Sequence, residues 1–209
     1  KLYFGQEVDE IFAEKLPATV IVNLYSIIIA VPLGVMIGII AALKKNTWVD
    51  HTLSTLTMVV ISVPSFVYAF MIQYLFAFKL GWLPFQMKAG YDYFTWSMFV
   101  SMLPAVMSLA FPVIAGFTRT TRAELTEVLT SEFMLLARTK GLTRAQATVR
   151  HALKNCMVVV LPAIFGEFIG IMSGSLIIEK IFSVPGVGQL YINSINGRDY
   201  PMFMMLTMF

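Results

Sequence analysis

Apolar runs longer than about 18 residues, the length that reads as a membrane-crossing helix, constrain this chain more than any other feature. They recur at about Thr19–Leu43, Thr52–Phe78, Trp96–Thr118 and Asn155–Ile178, and Pro201 opens a fifth that the chain cuts short. The first run, at 1.5 Å per residue, is roughly 37 Å long, enough to cross a bilayer of about 30 Å with some tilt. Composition agrees: 58% of residues are hydrophobic and 13% charged, with a mean hydropathy of +0.78, whereas soluble domains carry about 25% charge. The expected class is an all-α polytopic membrane protein with about five visible spans. Pro32, Pro64, Pro104, Pro112 and Pro162 predict kinks or broken turns, tolerated where neighbouring helices or cavities satisfy the freed backbone groups.

The polar segments between the runs set the expected orientation. Lys44, Lys45 and Asp50 mark one short connection, and Arg119–Lys154 a long one with seven basic residues against three acidic ones. Basic loops beside spans face the cytoplasm, so both are expected on that side. The segments 79–95 and 179–201 are nearly balanced in charge and are expected outside, as are the polar residues 1–18. The aromatics of 79–95 suit a membrane interface. This arrangement requires a further span upstream if the amino terminus is cytoplasmic, six in all. The chain begins at Lys1 and stops within Met202–Phe209, which reads as a fragment of a longer protein. No linker divides it, so residues 1–209 read as one transmembrane domain with a cytoplasmic loop at 119–154. The sequence pI near 9.0 follows from span-flanking charge and does not indicate nucleic-acid binding.

The basic segment carries helix punctuation. Ser131 is suited to cap a short helix with Glu132 in its first turn, Arg138 and Lys140 fall in its last turn, and Gly141 fits the position after it. Thr143-Arg-Ala-Gln146 matches a capping box that opens a second helix leading into the fourth span. The pattern is helix, glycine break, helix.

Here the chain resembles a known family. Glu132-Phe-Met-Leu-Leu-Ala137-Arg-Thr-Lys-Gly141-Leu142, followed by Arg150-His151-Ala152-Leu153-Lys154-Asn155, is similar to the cytoplasmic loop of bacterial ABC-importer permeases of the dipeptide/oligopeptide/nickel branch, closest to the B-type subunit. A second match is Glu179-Lys-Ile-Phe182-Ser-Val-Pro185-Gly186-Val-Gly188 with Arg198-Asp199-Tyr200-Pro201, and a weaker one is Leu16-Pro17-Ala18-Thr19. The family's Glu-Ala-Ala signature reads Leu135-Leu136-Ala137 here.

The resemblance implies a permease subunit of an ATP-driven peptide importer in the bacterial inner membrane. Its partners would be a second permease, two ATP-binding subunits and an extracellular binding protein that delivers the peptide, with membrane lipid around it. Phe133, Met134, Leu135, Leu136, Ala137, Arg138, Lys140 and Gly141 would form the helix that docks on an ATPase. Glu179, Phe182, Pro185, Gly186, Gly188, Arg198 and Asp199 would lie near the outer mouth, as a gate or a binding-protein contact. By pattern alone Pro185–Gly188 reads as a tight turn. The chain has no Gly-x4-Gly-Lys-Ser/Thr loop, so ATP and magnesium would belong to the partners, with no cofactor in this chain and no enzymatic activity of its own.

Glu167 is the isolated oddity. A mid-span carboxylate costs at least about 2.5–3.5 kcal/mol on insertion scales, so it is expected to face a cavity or a partner helix, or to be protonated. It reads equally as a pathway-lining group for a peptide amino terminus and as a structural hydrogen bond to a partner permease. Asn23 and Gln73 read as interhelical hydrogen-bonding groups. His51 and His151 lack the spacing of a metal site, and Cys156 and the fourteen methionines read as packing. Open alternatives are a nickel-chelate or glutathione cargo, a gradient-driven transporter, and an intramembrane enzyme built on Glu167.

Overall fold

A computed structural model describes residues 7–88, 90, 92–170 and 175–208; the side chains of Phe133, Arg138 and Arg144 also lie outside the described set. The described secondary structure is helical: α1 Val8–Leu43, α2 Trp48–Ser62, α3 Ser65–Ile72 running into a π-helical stretch Gln73–Lys79, α4 Trp96–Leu129, α5 Glu132–Thr139, α6 Arg144–Ala147, a π-helical stretch Thr148–Ala152, α7 Leu153–Gly170, α8 Leu176–Ile181, α9 Val187–Asn196 and α10 Tyr200–Met208.

Among the described residues, three helical segments are long and apolar enough to cross a membrane: Val8–Leu43, Trp96–Leu129 and Ala145–Gly170. The second expected span is instead a pair, Trp48–Ser62 and Ser65–Lys79, bent by 97°. Its break falls at Val63 and Pro64, both in extended backbone. Proline lacks the N–H that would continue the helix and restricts the residue before it to extended geometry. Pro32, Pro104, Pro112 and Pro162 lie inside continuing helices.

Several boundaries differ from the expectation because helices extend into polar sequence. Residues 8–18 belong to α1, with Asp9 and Glu10 in its positive first turn and Ile11 and Phe12 buried. Arg119–Leu129 continues α4. The fourth run is helical to Gly170; residues 171–174 lie outside the described set, and Ser175 is extended, so Leu176–Ile178 opens a separate helix. The segment expected as a polar loop at 179–201 is largely α8 and α9. The fifth run is helical over nine residues, Tyr200–Met208.

The chain forms two compact units. The first comprises Lys1–Ile27, Pro64–Ala110 and Phe168–Phe209; the second comprises Ile28–Val63 and Phe111–Glu167. In the first, Ile11, Phe12, Val187, Leu190, Met202 and Leu206 form a buried cluster that joins α1, α9 and α10. Gln73 Nε2 donates to the carbonyls of Phe85 (3.0 Å) and Ile181 (3.3 Å), and Met87 N–H donates to Phe182 O (2.9 Å). These bonds pin the irregular stretch 80–88 to α8. Gln73 thus has the structural role expected of it, whereas Asn23 bonds within its own helix, to Thr19 O.

In the second unit α1 and α4 meet on Gly34 and Gly38. A Cβ at Gly34 would lie 2.7 Å from Ile114 O, and one at Gly38 would lie 2.7 Å from Thr121 Cβ and 2.8 Å from Thr118 O. Thr118 Oγ1 donates to Gly34 O at 3.2 Å. This is close backbone approach through a small-xxx-small pair, the packing device of membrane helices.

Candidate functional site

The helix punctuation of the basic segment lies in the second unit and is realised at Gly141 and at Thr143–Gln146, but not at Ser131. α5 follows α4 after a one-turn break; the Ser131 hydroxyl does not cap it but donates back to Val128 O at 2.7 Å, while the Ser131 carbonyl accepts from Met134 N–H. Gly141, at φ +86°, takes the left-handed conformation that a glycine enters without steric cost. The chain then turns into the expected capping box: Thr143 N–H donates to Gln146 Oε1 (3.0 Å) and Gln146 N–H to Thr143 Oγ1 (3.3 Å).

α5 is two-faced. Met134 and Ala137 are 4% and 7% exposed, whereas Leu135 and Leu136 are 64% and 54% exposed. Glu132, Leu135, Leu136 and Thr139 line one concave surface of about 550 Å³. Their i, i+3, i+4, i+7 spacing places them on one side of the helix. Lys140 and Gly141 are exposed beside it. Of the expected docking residues, Met134 and Ala137 hold the helix down and Leu135 and Leu136 are displayed. The side chains of Phe133 and Arg138, also expected to dock, lie outside the described residues.

The second cluster, in the first unit, is buried. Glu179 on α8 is 2% exposed. Thr19 Oγ1 donates to its Oε1 at 2.8 Å, and Gly188 N–H donates to its Oε2 at 2.7 Å. Val187 N–H donates to Thr19 Oγ1 at 2.9 Å. Val187 and Gly188 are the first two residues of α9, whose amides have no partner inside the helix. Glu179 and Thr19 therefore cap α9 from outside, and the carboxyl sits at the positive end of its dipole. Burial pushes the Glu179 carboxyl above its ordinary range, against the lowering effect of its hydrogen bonds to Thr19 and Gly188.

Gly186 and Gly188 are required by this closeness. A Cβ on Gly186 would strike Thr19 Oγ1 and come within 2.5 Å of Glu179 Oε2, and one on Gly188 would lie 2.7 Å from the same oxygen. Phe182 is buried, Pro185 half-buried, and Asp199 is buried with Oδ1 accepting from Met202 N–H at the start of α10. Arg198 is exposed. The structure brings Glu179, Gly186 and Gly188 together with Thr19, the weakest of the sequence matches, and makes them a buried latch.

Two features escaped the sequence reading. One is Gly34-x-x-x-Gly38, whose spacing is itself the signal for close helix packing. The other is an ion pair. Arg122 on α4 donates through Nε and Nη2 to Asp50 Oδ1 (2.5 Å) and Oδ2 (2.8 Å). Asp50, fully buried in the first turn of α2, also accepts from Asn46 N–H and the Ser54 hydroxyl. No short-range spacing announces a pair 72 residues apart. Glu167 on α7 is half-buried.

Long apolar helices interrupted by a short, displayed amphipathic helix define a polytopic membrane protein with a built surface outside its spans. Residues 34–209 match the family model described as the inner membrane component of binding-protein-dependent transport systems. The chain belongs to that family. It is 39% identical over 206 residues to the oligopeptide transport system permease protein OppB of Escherichia coli (strain K12), covering 98% of this chain and 65% of the relative. It is 34% identical over 205 residues to the dipeptide transport system permease protein DppB of Bacillus subtilis (strain 168), covering 98% of this chain and 64% of the relative. The chain thus spans slightly less than two thirds of these relatives' length. In fold it resembles a crystal structure of an amino acid ABC transporter with histidines, at a TM-score of 0.68 and 20% identity over 95% of this chain and 85% of that one.

Proposed function

We propose that this chain is a transmembrane subunit of an ATP-driven peptide importer. It forms half of a translocation pathway with a second permease and is driven by two separate ATP-binding subunits. The observation that carries this reading is α5. A short helix whose inner residues, Met134 and Ala137, are buried while Leu135 and Leu136 stand exposed is shaped to receive a partner. The glycine turn at Gly141 and the Thr143–Gln146 capping box hold it as a defined lever between α4 and α6. The oligopeptide and dipeptide permeases among its relatives support the cargo class. An extracellular binding protein would deliver that cargo.

The long helix ending at Gly170 supports the need for a partner in the membrane. Only 17% of its apolar window is buried, against 44% and 50% for the other two long helices, and Val158, Leu161, Phe165 and Ile169 form an exposed stripe. Glu167, half-buried, lies on the side of that helix opposite the stripe, so on this reading it serves the pathway and not the stripe's contact with the second permease. The Glu179–Thr19 latch would position the segment Phe182–Gly188 at the outer mouth, with exposed Arg198 available to a binding protein.

The test is transport by the complete complex in vesicles. Leu136→Asp and Gly141→Val, each in an otherwise intact complex, are expected to abolish ATP-dependent peptide uptake while the ATPase subunits still hydrolyse ATP. Uptake at the wild-type rate in both variants would refute this placement of the docking helix, and uptake driven by an ion gradient without ATP would refute the importer class.

A further inference from the structure

A second polar surface in the second unit is used by nothing described so far. A cavity of about 390 Å³ is lined by His51, Ser54, Thr55 and Met58 of α2 and by Arg119 and Arg122 of α4, among others. With Thr57 of α2 and Thr118 and Ala123 of α4 completing the lining, the cavity is a cleft between these two helices. Its volume is in the range of small-molecule sites.

The groups lining it divide into two sets. Ser54 donates to Asp50, and Arg122 is committed through Nε and Nη2 to the same carboxylate. The charge of Arg122 is thereby balanced from beneath. The side chains of His51, Thr55 and Arg119 have no hydrogen-bond or ion-pair partner among the described residues. The cavity therefore presents an unbalanced guanidinium together with an imidazole and a hydroxyl that are free to bond. An anion with several acceptor oxygens matches that set, and a guanidinium is well suited to a phosphate.

The surroundings decide which anion. Along α2, the polar stripe gives way to Leu56, Met58, Val59 and Ile61, all exposed. A soluble anion would use the polar part alone. An anionic phospholipid uses both, with its phosphate against Arg119 and an acyl chain along the apolar side of α2. Basic residues beside membrane spans attract such headgroups, each by about 1 kcal/mol. We propose that the cavity between α2 and α4 is a binding site for the headgroup of an anionic phospholipid, held chiefly by Arg119 with His51 and Thr55. The inference rests on the membrane class and not on the cargo.

Native mass spectrometry of the purified, delipidated complex tests it, with phosphatidylglycerol, phosphatidylcholine or inorganic phosphate as the added probe. The wild type is expected to retain phosphatidylglycerol in preference to phosphatidylcholine. Arg119→Gln should lower that retention about five-fold, the factor corresponding to about 1 kcal/mol. Arg119→Lys should keep most of it, and Lys180→Gln, at an exposed position on α8, should not change it. Equal retention by wild type and Arg119→Gln would overturn the assignment. So would displacement of the lipid by millimolar inorganic phosphate, or a wild-type complex that shows no preference between the two lipids. Arg119 is exposed and unpaired, so its replacement should leave the melting temperature unchanged and separate lost binding from lost folding.

Discussion

Replacing Thr19 with valine isolates the energetics of the Glu179 latch. The side chains have nearly the same shape, so packing at this buried position is largely preserved while the hydroxyl is lost. That hydroxyl donates to Glu179 Oε1 at 2.8 Å and accepts from Val187 N–H at 2.9 Å. Its removal leaves one buried carboxyl oxygen and one helix-terminal amide short of a partner. Each orphaned buried group costs about 1–3 kcal/mol, so Thr19→Val should destabilise by about 3 kcal/mol. For a domain of this size that is a fall in melting temperature of about 6–12 °C, measurable by thermal unfolding in detergent. Thr19→Ser, which keeps the hydroxyl, should lose less than half as much. A double-mutant cycle with Glu179→Leu should give a coupling of at least about 1 kcal/mol, since the pair shares one network. A Thr19→Val melting temperature within about 2 °C of the wild type, under about 1 kcal/mol, would refute the reasoning, because no buried capping network could lose its central hydroxyl so cheaply.

Two further outcomes follow from the second unit. Gly38→Val places its Cβ against Thr121 Cβ and the Thr118 carbonyl, and the latter is backbone that cannot rotate away. It should destabilise by about 1–3 kcal/mol, whereas Gly116→Ala on α4, with nothing within 4 Å of its added carbon, should be neutral or stabilising by up to about 1 kcal/mol; thermal unfolding of the two variants side by side checks the contrast. Arg122→Ala strands the fully buried Asp50 charge and should cost about 3–5 kcal/mol, while replacing both partners with leucine should cost much less; a double replacement no more stable than Arg122→Ala would count against the pair as the source of the loss.

The legibility of this chain in its sequence differs from element to element. The long apolar helices, the Gly141 turn and the Thr143–Gln146 box could all be read in advance. Each depends on spacing within a few residues or on composition over a window. The same local logic failed where an element changes character without a breaker. The polar residues 8–18 and 119–129 continue helices because nothing in them stops one, and the sharpest break came at Pro64, one of five prolines that looked alike in sequence. The motif Glu179–Gly188 was legible as a motif but not as a latch, because the hydroxyl that completes it stands 160 residues earlier in the chain.

By itself, then, the sequence determined the class of solvent this chain lives in, the helical nature of its spans and the punctuation of α5. These follow from hydrophobic length, helix periodicity and capping, all local properties. Only the tertiary structure decided that Thr19 and Glu179 jointly cap α9, that Gly34 and Gly38 bring two backbones into contact, and that Asp50 is buried beneath Arg122. Each of those joins residues far apart in the chain, and a buried polar group finds its partner wherever folding places one, not where sequence spacing announces it.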